Sequence, residues 1–404
     1  MSSQALDSKN SDISNDSGLT AGPFFVTTEQ RIALARERFF EDGIRPSGLV
    51  PEHVVQSWTR CVGARRKPRE GLALEPVTKA RIETALARNR LLLEVAREDV
   101  LQLDTLLAGT AYKAMLLSHD GVIVHATPIE RREGALLPHV ARVGVDLGEA
   151  NIGTGAPNVA ARSGKVCVVR GAEHFFDGMS KMYCAAAPIR DSRGNVVGAL
   201  DISSEGEMFK FDAASLVMLY ATTIENRLLE AQSRNKLLLR FQASPALIRT
   251  PLEGLACIAE EGRVLWLNQT GANFLGCDRV PTHAPCAEEM FGLSVDSLMS
   301  FGNFQSAMPH RLPSGITLWM EVRREASGKT PAEQDLESLS MSPAEEEVSS
   351  AAPVPAPKLH DVNRALIESK FFECKGNVAK TARELGVSRG LMYRRLRDWG
   401  LTRD

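Results

Sequence analysis

The 404-residue chain lacks several features that would each point to a particular protein class. Its 48 Lys and Arg nearly balance its 50 Asp and Glu, so the net charge of −2 creates no overall field that attracts nucleic acid. Any such attraction must be local. The seven cysteines are scattered without CxxC spacing, which argues against a disulfide framework and against a zinc site. We predict free thiols, and neither a metal nor a cofactor.

The sequence also has no long apolar run. No stretch approaches the ~20 consecutive apolar residues that cross a bilayer. The first residues have neither the basic leader nor the apolar core of a signal peptide, and their Ser, Asn and Asp bias predicts a disordered tail over 1–28. We therefore predict a cytoplasmic protein with no membrane partner.

Apolar residues at helical spacing predict a helical segment over 29–110. Its longest helix is expected over 78–107, and a shorter one over 51–62 places Val54 and Trp58 on one side. The length of the chain leaves room for two or three domains in all.

From Lys113 the apolar period changes to that of strands. The stretch 114–126 has an Asp-Gly pair between two apolar runs, which is typical of a β-hairpin. A similar pattern at 184–203 and a strand at 165–171 should join it in one antiparallel sheet. A third hairpin at 255–268 should open a second α+β domain, which we extend over 242–324.

A long helix is predicted over 212–241, between the two sheets. It carries an apolar seam, which suits either the same helix of a second subunit or the chain's own sheet, and both interpretations stay open here. The seam consists of Val217, Ala221, Ile224, Leu228 and Ala231.

The composition changes sharply after residue 324. Residues 325–357 combine seven acids with one Lys and five Pro, which predicts an acidic linker without a fold. Residues 358–404 then carry eleven Lys and Arg against six Asp and Glu, a local charge of +5. Start and stop signals divide this segment into three helices, with Asn377 and Ser388 as caps of the last two, which predicts a helix-turn-helix.

DNA binding requires an exposed cationic face on the third helix and donors at its start. The alternative is a small three-helix bundle with a solvated basic face. The residues predicted to contact bases or phosphates are Ser388, Arg389, Leu391, Met392, Tyr393, Arg394, Arg395 and Arg397.

Two stretches resemble known families. "GNVAKTARELGVSRGLMYRRLRDWGL" resembles the Fis-type helix-turn-helix, which implies a homodimer presenting recognition helices to successive major grooves of double-stranded DNA at a promoter or operator. "NIGTGAPNVA", "GAEHF", "CAAAPI" and "GALDIS" are similar to the GAF domain of the acetoin-catabolism regulator family of bacterial enhancer-binding proteins. "PLEGLACIAEEGRVLWLNQTGANFLG" looks like the start of the PAS domain that follows in such proteins.

One departure from that family concerns ATP. Those regulators usually carry an AAA+ ATPase module between the PAS domain and the helix-turn-helix, where this chain has only the linker 325–357. We therefore expect no ATP hydrolysis and no enzyme activity, although RNA polymerase stays a possible partner. A thiol-based reductase on a GAF fold is the enzyme alternative, and the absence of paired cysteines counts against it.

The GAF resemblance implies a pocket for a small effector. Its candidate lining residues are His174, Phe175, Tyr183 and Cys184, each of which also has an ordinary reading as part of the core or as a hydrogen-bonded structural residue. The Gly-Thr-Gly run at 153–155 suggests a phosphate loop, but a tight turn into the following helix also explains it.

The predicted fold is therefore an α+β multidomain protein. We expect a transcriptional regulator that senses a small effector. The alternative is an adaptor that modulates an ATPase-containing relative. The predicted segments are the tail 1–28, the helical segment 29–110, the GAF-like core 111–211, the connecting helix 212–241, the PAS-like domain 242–324, the linker 325–357 and the all-α helix-turn-helix 358–404.

Overall fold

The chain separates into two compact units, Met1–Lys329 and Thr330–Asp404. In the first unit, two five-stranded antiparallel sheets each form a mixed α/β domain. The computed structural model describes residues 27–128, 136–233, 236–281, 283–301, 307–324 and 378.

The elements follow the chain in this order. The helices are α1 (Thr28–Arg36), α2 (Glu52–Gly63), α3 (Lys79–Arg88), α4 (Arg90–Leu107), α5 (Leu137–Val140), α6 (Glu149–Ile152), α7 (Ala156–Ser163), α8 (Ala213–Ala231), α9 (Gln269–Leu275), α10 (Ala287–Phe291) and α11 (Val295–Phe301). The strands are β1 (Lys113–Ser118), β2 (Ile123–Ala126), β3 (Cys167–Arg170), β4 (Met182–Arg190), β5 (Val196–Glu205), β6 (Leu237–Gln242), β7 (Gly254–Ile258), β8 (Val264–Leu267), β9 (Met308–Arg311) and β10 (Thr317–Arg324).

The predicted helical segment is present, with three differences. The first helix begins inside the predicted tail, because Thr27 and Gln30 form a capping box at its start. The helix expected over 78–107 is broken at Asn89, whose φ of −99° and ψ of 15° end α3 just before α4. A π-helical turn also extends α1, over Glu37–Glu41.

The first sheet has the strand order β2-β1-β5-β4-β3. The predicted hairpin at 114–126 is confirmed: β1 and β2 pair, and Gly121 takes the left-handed φ of +83° that the turn requires. The predicted strand at 165–171 and hairpin at 184–203 are also in this sheet.

Each face of this sheet is covered by helices. One face packs against α4 and α8. The other face is covered by α1, α2, α7 and the loops between them, where Trp58 and Phe175 are fully buried. The short helix predicted over 51–62 is present as α2, and its apolar side, including Val54, belongs to this second core.

The prediction of one helix over 212–241 was wrong in its last third. α8 ends at Ala231, and Leu237–Gln242 form the strand β6, the central strand of the second sheet. Every residue of β6 is buried, so its apolar run shows no alternation that would separate a strand from a buried helix. The second sheet therefore begins before residue 242, the predicted boundary.

The apolar seam on α8 packs against other elements of the same chain. Val217, Ala221, Ile224 and Leu228 are buried in the core that α8 forms with α4 and the first sheet, and Ala231 is half-buried. Of the two interpretations left open, packing against the chain's own sheet is the one observed. The seam is therefore not available to a second subunit.

The second sheet has the order β8-β7-β6-β10-β9. The hairpin predicted at 255–268 is confirmed as β7 and β8, and β10 is the last strand of this sheet along the chain. The edge strand β9 and the helix α10 were not foreseen.

Three predicted segments fall mainly outside the described residues. They are the tail up to residue 26, the linker 325–357 and the helix-turn-helix 358–404, of which only Val378 is described. Val378 lies in the predicted second helix of that segment. It is helical, with 8% of its surface exposed.

Candidate functional site

A chain of polar side chains is buried on the face of the first sheet that α1, α2 and α7 cover. Paired residues of antiparallel strands point to the same face, and here Cys184 pairs with Ser203 while Ala186 pairs with Asp201. Cys184 and Ala186 belong to the core on this face. Asp201 and Ser203 are buried beside them, with 0% and 1% of their surfaces exposed.

Only one of the two carboxyl oxygens of Asp201 has a hydrogen-bond partner among the described residues. Its Oδ2 accepts a hydrogen bond of 2.6 Å from Ser203 Oγ, whereas its buried Oδ1 has no partner among the described residues. Burial raises the pKa of Asp201 to about 7, and the hydrogen bond from Ser203 opposes that rise. Near neutral pH the carboxyl group can therefore hold a proton or release it.

His174 and Cys184 continue the polar chain. His174 Nδ1 lies 2.9 Å from the carbonyl oxygen of Gly171, which can only accept, so Nδ1 carries the proton and Nε2 is the acceptor. Nε2 lies 3.4 Å from Cys184 Sγ, which therefore donates to it. Burial lowers the pKa of His174 to about 4 and raises the pKa of Cys184 well above its usual range. Both groups are uncharged at neutral pH.

The N-terminal helices hold the loop that carries His174. Arg36 Nη1 donates to the carbonyl oxygens of Ala172 and His174, at 3.1 and 2.8 Å. Trp58 Nε1 donates to the carbonyl oxygen of Glu173 at 2.8 Å. Arg36 belongs to α1 and Trp58 to α2, so both helices are hydrogen-bonded to the loop backbone. The two helices therefore form the outer wall of this site.

The structure brings together three of the four predicted pocket residues. His174 and Cys184 are in contact, and Phe175 is fully buried next to His174, with its ring 5.5 Å from that of Phe40. Tyr183 is adjacent to Cys184 in β4, so strand alternation directs its side chain to the opposite face.

Sequence reasoning missed Asp201 and Ser203. The available signal was a single acidic residue inside the apolar stretch "VVGALDIS", at an inward position of the alternation. The Gly-Thr-Gly run is not an open loop: an added Cβ on Gly153 would lie 2.7 Å from Phe175 Cβ, and Thr154 is fully buried. A tight turn, the alternative explanation, is what the structure contains.

A cleft of about 290 Å³ opens on this domain between α7 and the turn from β1 to β2. It does not include the four predicted pocket residues. Its inner wall contains Leu117 and Ala199, a cross-strand pair on the site face of the sheet. The other lining residues are Ser118, His119, Asp120, Gly121, Leu147, Gly148, Glu149, Pro157, Asn158, Ala161 and Arg162.

The rim of the cleft carries charges of both signs. Glu149 accepts two hydrogen bonds of 2.7 Å from Arg60 and one of 2.5 Å from Ser57. Burial favours the neutral acid of Glu149, but these donors outweigh it and lower the pKa of the carboxyl group. The carboxylate of Glu149 is therefore ionised and hydrogen-bonded to Ser57 and Arg60 of α2. Arg162 on α7 is exposed to solvent.

The residues predicted to contact DNA, from Ser388 to Arg397, all lie outside the described residues. Within the part of the chain that is described, no cluster of three His, Cys, Asp or Glu could hold a metal ion. None of the helices described has both the length and the apolar character that a membrane span needs. The six cysteines described are free thiols.

Comparison with known families gives two matches along the chain. The GAF domain matches residues 57–228, which include the first sheet, the cleft and the buried polar chain. The bacterial regulatory proteins of the Fis family match residues 358–399. The chain combines a GAF domain with a Fis-family helix-turn-helix. This is the domain content of a transcriptional regulator.

The chain is also similar to named regulators. It is 28% identical over 225 residues to the acetoin catabolism regulatory protein of Cupriavidus necator, covering 53% of this chain and 33% of that protein. It is 24% identical over 169 residues to the acetoin dehydrogenase operon transcriptional activator AcoR of Bacillus subtilis, covering 41% and 28%. The matches thus span about a third of the length of these relatives.

Among solved structures, the E. coli DhaR(N)–DhaL complex is similar at a TM-score of 0.42 and 15% identity, covering 68% of this chain and 100% of that one. The similarity to the two acetoin regulators agrees with the resemblance seen in the sequence.

Proposed function

We propose that this protein is a DNA-binding transcriptional regulator whose GAF domain binds a small effector and whose Fis-family segment binds a palindromic operator. The observation that carries the proposal is the presence of both matches, at 57–228 and 358–399, in one chain. We further propose that it acts in the cytoplasm as a homodimer and influences RNA polymerase at the promoter.

The names of two relatives suggest the class of effector. Both are regulators connected with acetoin, a small uncharged hydroxyketone. We propose a compound of similar size and polarity for this chain. The buried polar chain and the adjacent cleft support this, because both occur in the region that the GAF domain matches.

We propose that the third helix of the Fis-family segment reads the DNA. In a palindromic site, two such helices lie in successive major grooves about one helical turn apart. Ser388, Arg389, Tyr393 and Arg394 would supply phosphate or base contacts, with Leu391 or Met392 against a thymine methyl group. Arg395 and Arg397 would add to the cationic face.

The effector must bind the two functional states of the protein with different affinity, or no signal passes. The route we propose runs through α8, which packs on the GAF sheet and also contacts the second sheet domain. That second domain is the segment we propose as PAS-like.

We propose that the protein does not act as an enzyme. Burial raises the pKa of Cys61 to about 11 and raises the pKa of Cys184 well above its usual range, which disfavours the thiolates that a thiol-based reductase needs. The alternative function is an adaptor that modulates an ATPase-containing relative. It is favoured by the linker 325–357, which stands where such relatives carry their ATPase module.

Fluorescence anisotropy tests the proposal. Full-length protein and a version ending at residue 357 are titrated with the upstream intergenic DNA of the gene and with a scrambled duplex, across salt concentrations. We expect the full-length protein to prefer the native duplex, and the shortened protein not to bind. Equal weak binding of both duplexes would favour the adaptor, and unchanged binding by the shortened protein would refute the proposal.

A further inference from the structure

We propose that Asp201 and Ser203 anchor an effector site for a small uncharged molecule carrying a hydroxyl group, which is reached through the cleft beside α7. The inference deepens the function proposed above and rests on it, since effector binding is the role given there to the GAF domain. What it adds is the anchoring residues, the part that the ligand's hydroxyl group has in recognition, and the route of entry.

The first argument concerns the unpartnered oxygen of Asp201. A buried polar atom without a hydrogen bond costs about 1–3 kcal/mol, so proteins rarely retain one without a use. Ser203 Oγ donates to Oδ2, which leaves Oδ1 without a hydrogen-bond partner among the described residues. When the carboxyl group is ionised, Oδ1 is an acceptor that lacks a donor. A ligand hydroxyl supplies that donor.

The second argument concerns charge. Only burial and the Ser203 hydrogen bond govern the pKa of Asp201, so no neighbouring cation sets its state. His174 and Cys184 on the same face are neutral. Met115, the cross-strand neighbour of Asp201 on β1, is apolar and buried. An anionic ligand would lie beside a carboxyl group with no cation to compensate its charge. An uncharged ligand costs less free energy to move from water into such a site.

The third argument concerns access. Leu117 and Ala199 form the inner wall of the cleft, and the next pair along the same face of the same two strands is Met115 and Asp201. Two residues along a strand span about 6.6 Å. The anchor therefore lies one side-chain pair beyond a cleft of about 290 Å³, many times the ~30 Å³ that a water molecule occupies in the liquid.

The test measures ligand binding to the intact chain at pH 7 by isothermal titration calorimetry. The probes are acetoin, butane-2,3-diol, butan-2-one and lactate, which vary the hydroxyl group and the charge at nearly constant size. We expect the wild type to bind the two uncharged hydroxyl compounds in preference to butan-2-one and lactate.

Asp201→Asn then separates recognition from structure. The amide oxygen can still accept from Ser203, but the amide nitrogen replaces the free acceptor with a donor. We expect the affinity for butane-2,3-diol to fall at least about tenfold, while the affinity for butan-2-one is unchanged or rises. A merely structural role would change both affinities together. Ser204→Ala is the matched control, because Ser204 is buried in the same strand but on the opposite face and donates to Glu207 O.

The outcomes are distinct. Equal affinity of wild type and Asp201→Asn for the diol would overturn the proposal, as would tighter binding of lactate or no binding of any probe. If the diol binds through Asp201 but leaves the affinity for operator DNA unchanged, the site stands and the proposed regulatory function fails. If the diol shifts DNA affinity and Asp201→Asn abolishes both effects, both stand.

Discussion

Glu225 and Arg279 form an ion pair of 2.5 Å that joins the GAF helix α8 to the second sheet domain. The other carboxylate oxygen of Glu225 accepts the backbone N–H of Arg190 at 2.8 Å, where β4 of the GAF sheet ends. One buried carboxylate thus contacts the sensor sheet and the second domain together. The next residue, Asn226, accepts a hydrogen bond of 3.0 Å at its Oδ1 from Asn268 Nδ2.

Glu225→Gln should uncouple the two domains. Removing the anion leaves the buried guanidinium of Arg279 uncompensated, which costs about 3–5 kcal/mol for a buried pair. We expect calorimetric unfolding to change from one transition to two. Glu98→Gln is the control, because the exposed pair of Glu98 with Arg227 should contribute less than about 1 kcal/mol. A single transition at the wild-type temperature in Glu225→Gln would contradict this coupling.

Asp201 should make the stability of the protein fall as the pH rises. Its pKa is about 7 in the folded state against 3.8 for a solvent-exposed aspartate, as in the unfolded chain, so the folded protein binds the proton more tightly. This stabilisation is complete below about pH 4 and is lost as the pH rises through about 7. Urea unfolding of Asp201→Asn and wild type at pH 5 and pH 8 measures it.

The asparagine cannot ionise, so the free energy of unfolding of the variant relative to wild type should rise between those two pH values. We expect a rise of at least about 1.4 kcal/mol, the equivalent of one pH unit. Parallel pH profiles of the two proteins would show that Asp201 has an ordinary pKa.

Gly153→Ala should destabilise the GAF domain. Gly153 has a φ of +62°, and an added Cβ would lie 2.7 Å from Phe175 Cβ. Gly206→Ala is a matched control with a similar φ of +76° and nothing within 4 Å of the added Cβ. Gly153 has a ψ of −141°, a conformation that favours glycine, so its loss of stability combines backbone strain with overpacking of about 1–3 kcal/mol and should exceed that of Gly206→Ala. Chemical unfolding measures it, and equal losses would mean that Phe175 moves freely.

Arg394→Ala should weaken DNA binding through one lost phosphate or base contact. If the contact is to phosphate, the slope of log K against log salt should decrease in magnitude by about 0.9. Arg193→Ala is the control, an exposed arginine in a turn of the GAF domain. Anisotropy titrations at several salt concentrations measure both variants. Identical slopes and affinities for wild type and Arg394→Ala would remove this residue from the interface.

Much of the local structure could be predicted because its causes are local. The hairpin of β1 and β2 follows from an Asp-Gly turn between two apolar runs, and α2 from apolar residues at helical spacing. The GAF and Fis resemblances were likewise carried by contiguous motifs. No comparable local signal marked Leu237–Gln242, because a strand buried on both faces shows neither the period of a helix nor that of a half-exposed strand.

Local sequence patterns were thus sufficient for the order of most elements, the three hairpins and the basic C-terminal segment. Tertiary structure alone assigned the α8 seam to its own sheet, since an apolar stripe does not specify its partner. It also joined Asp201, Ser203 and Cys184 into one buried chain with His174. Those contacts depend on strand register and on the burial that withdraws each group from water, and neither is a property of any short stretch of sequence.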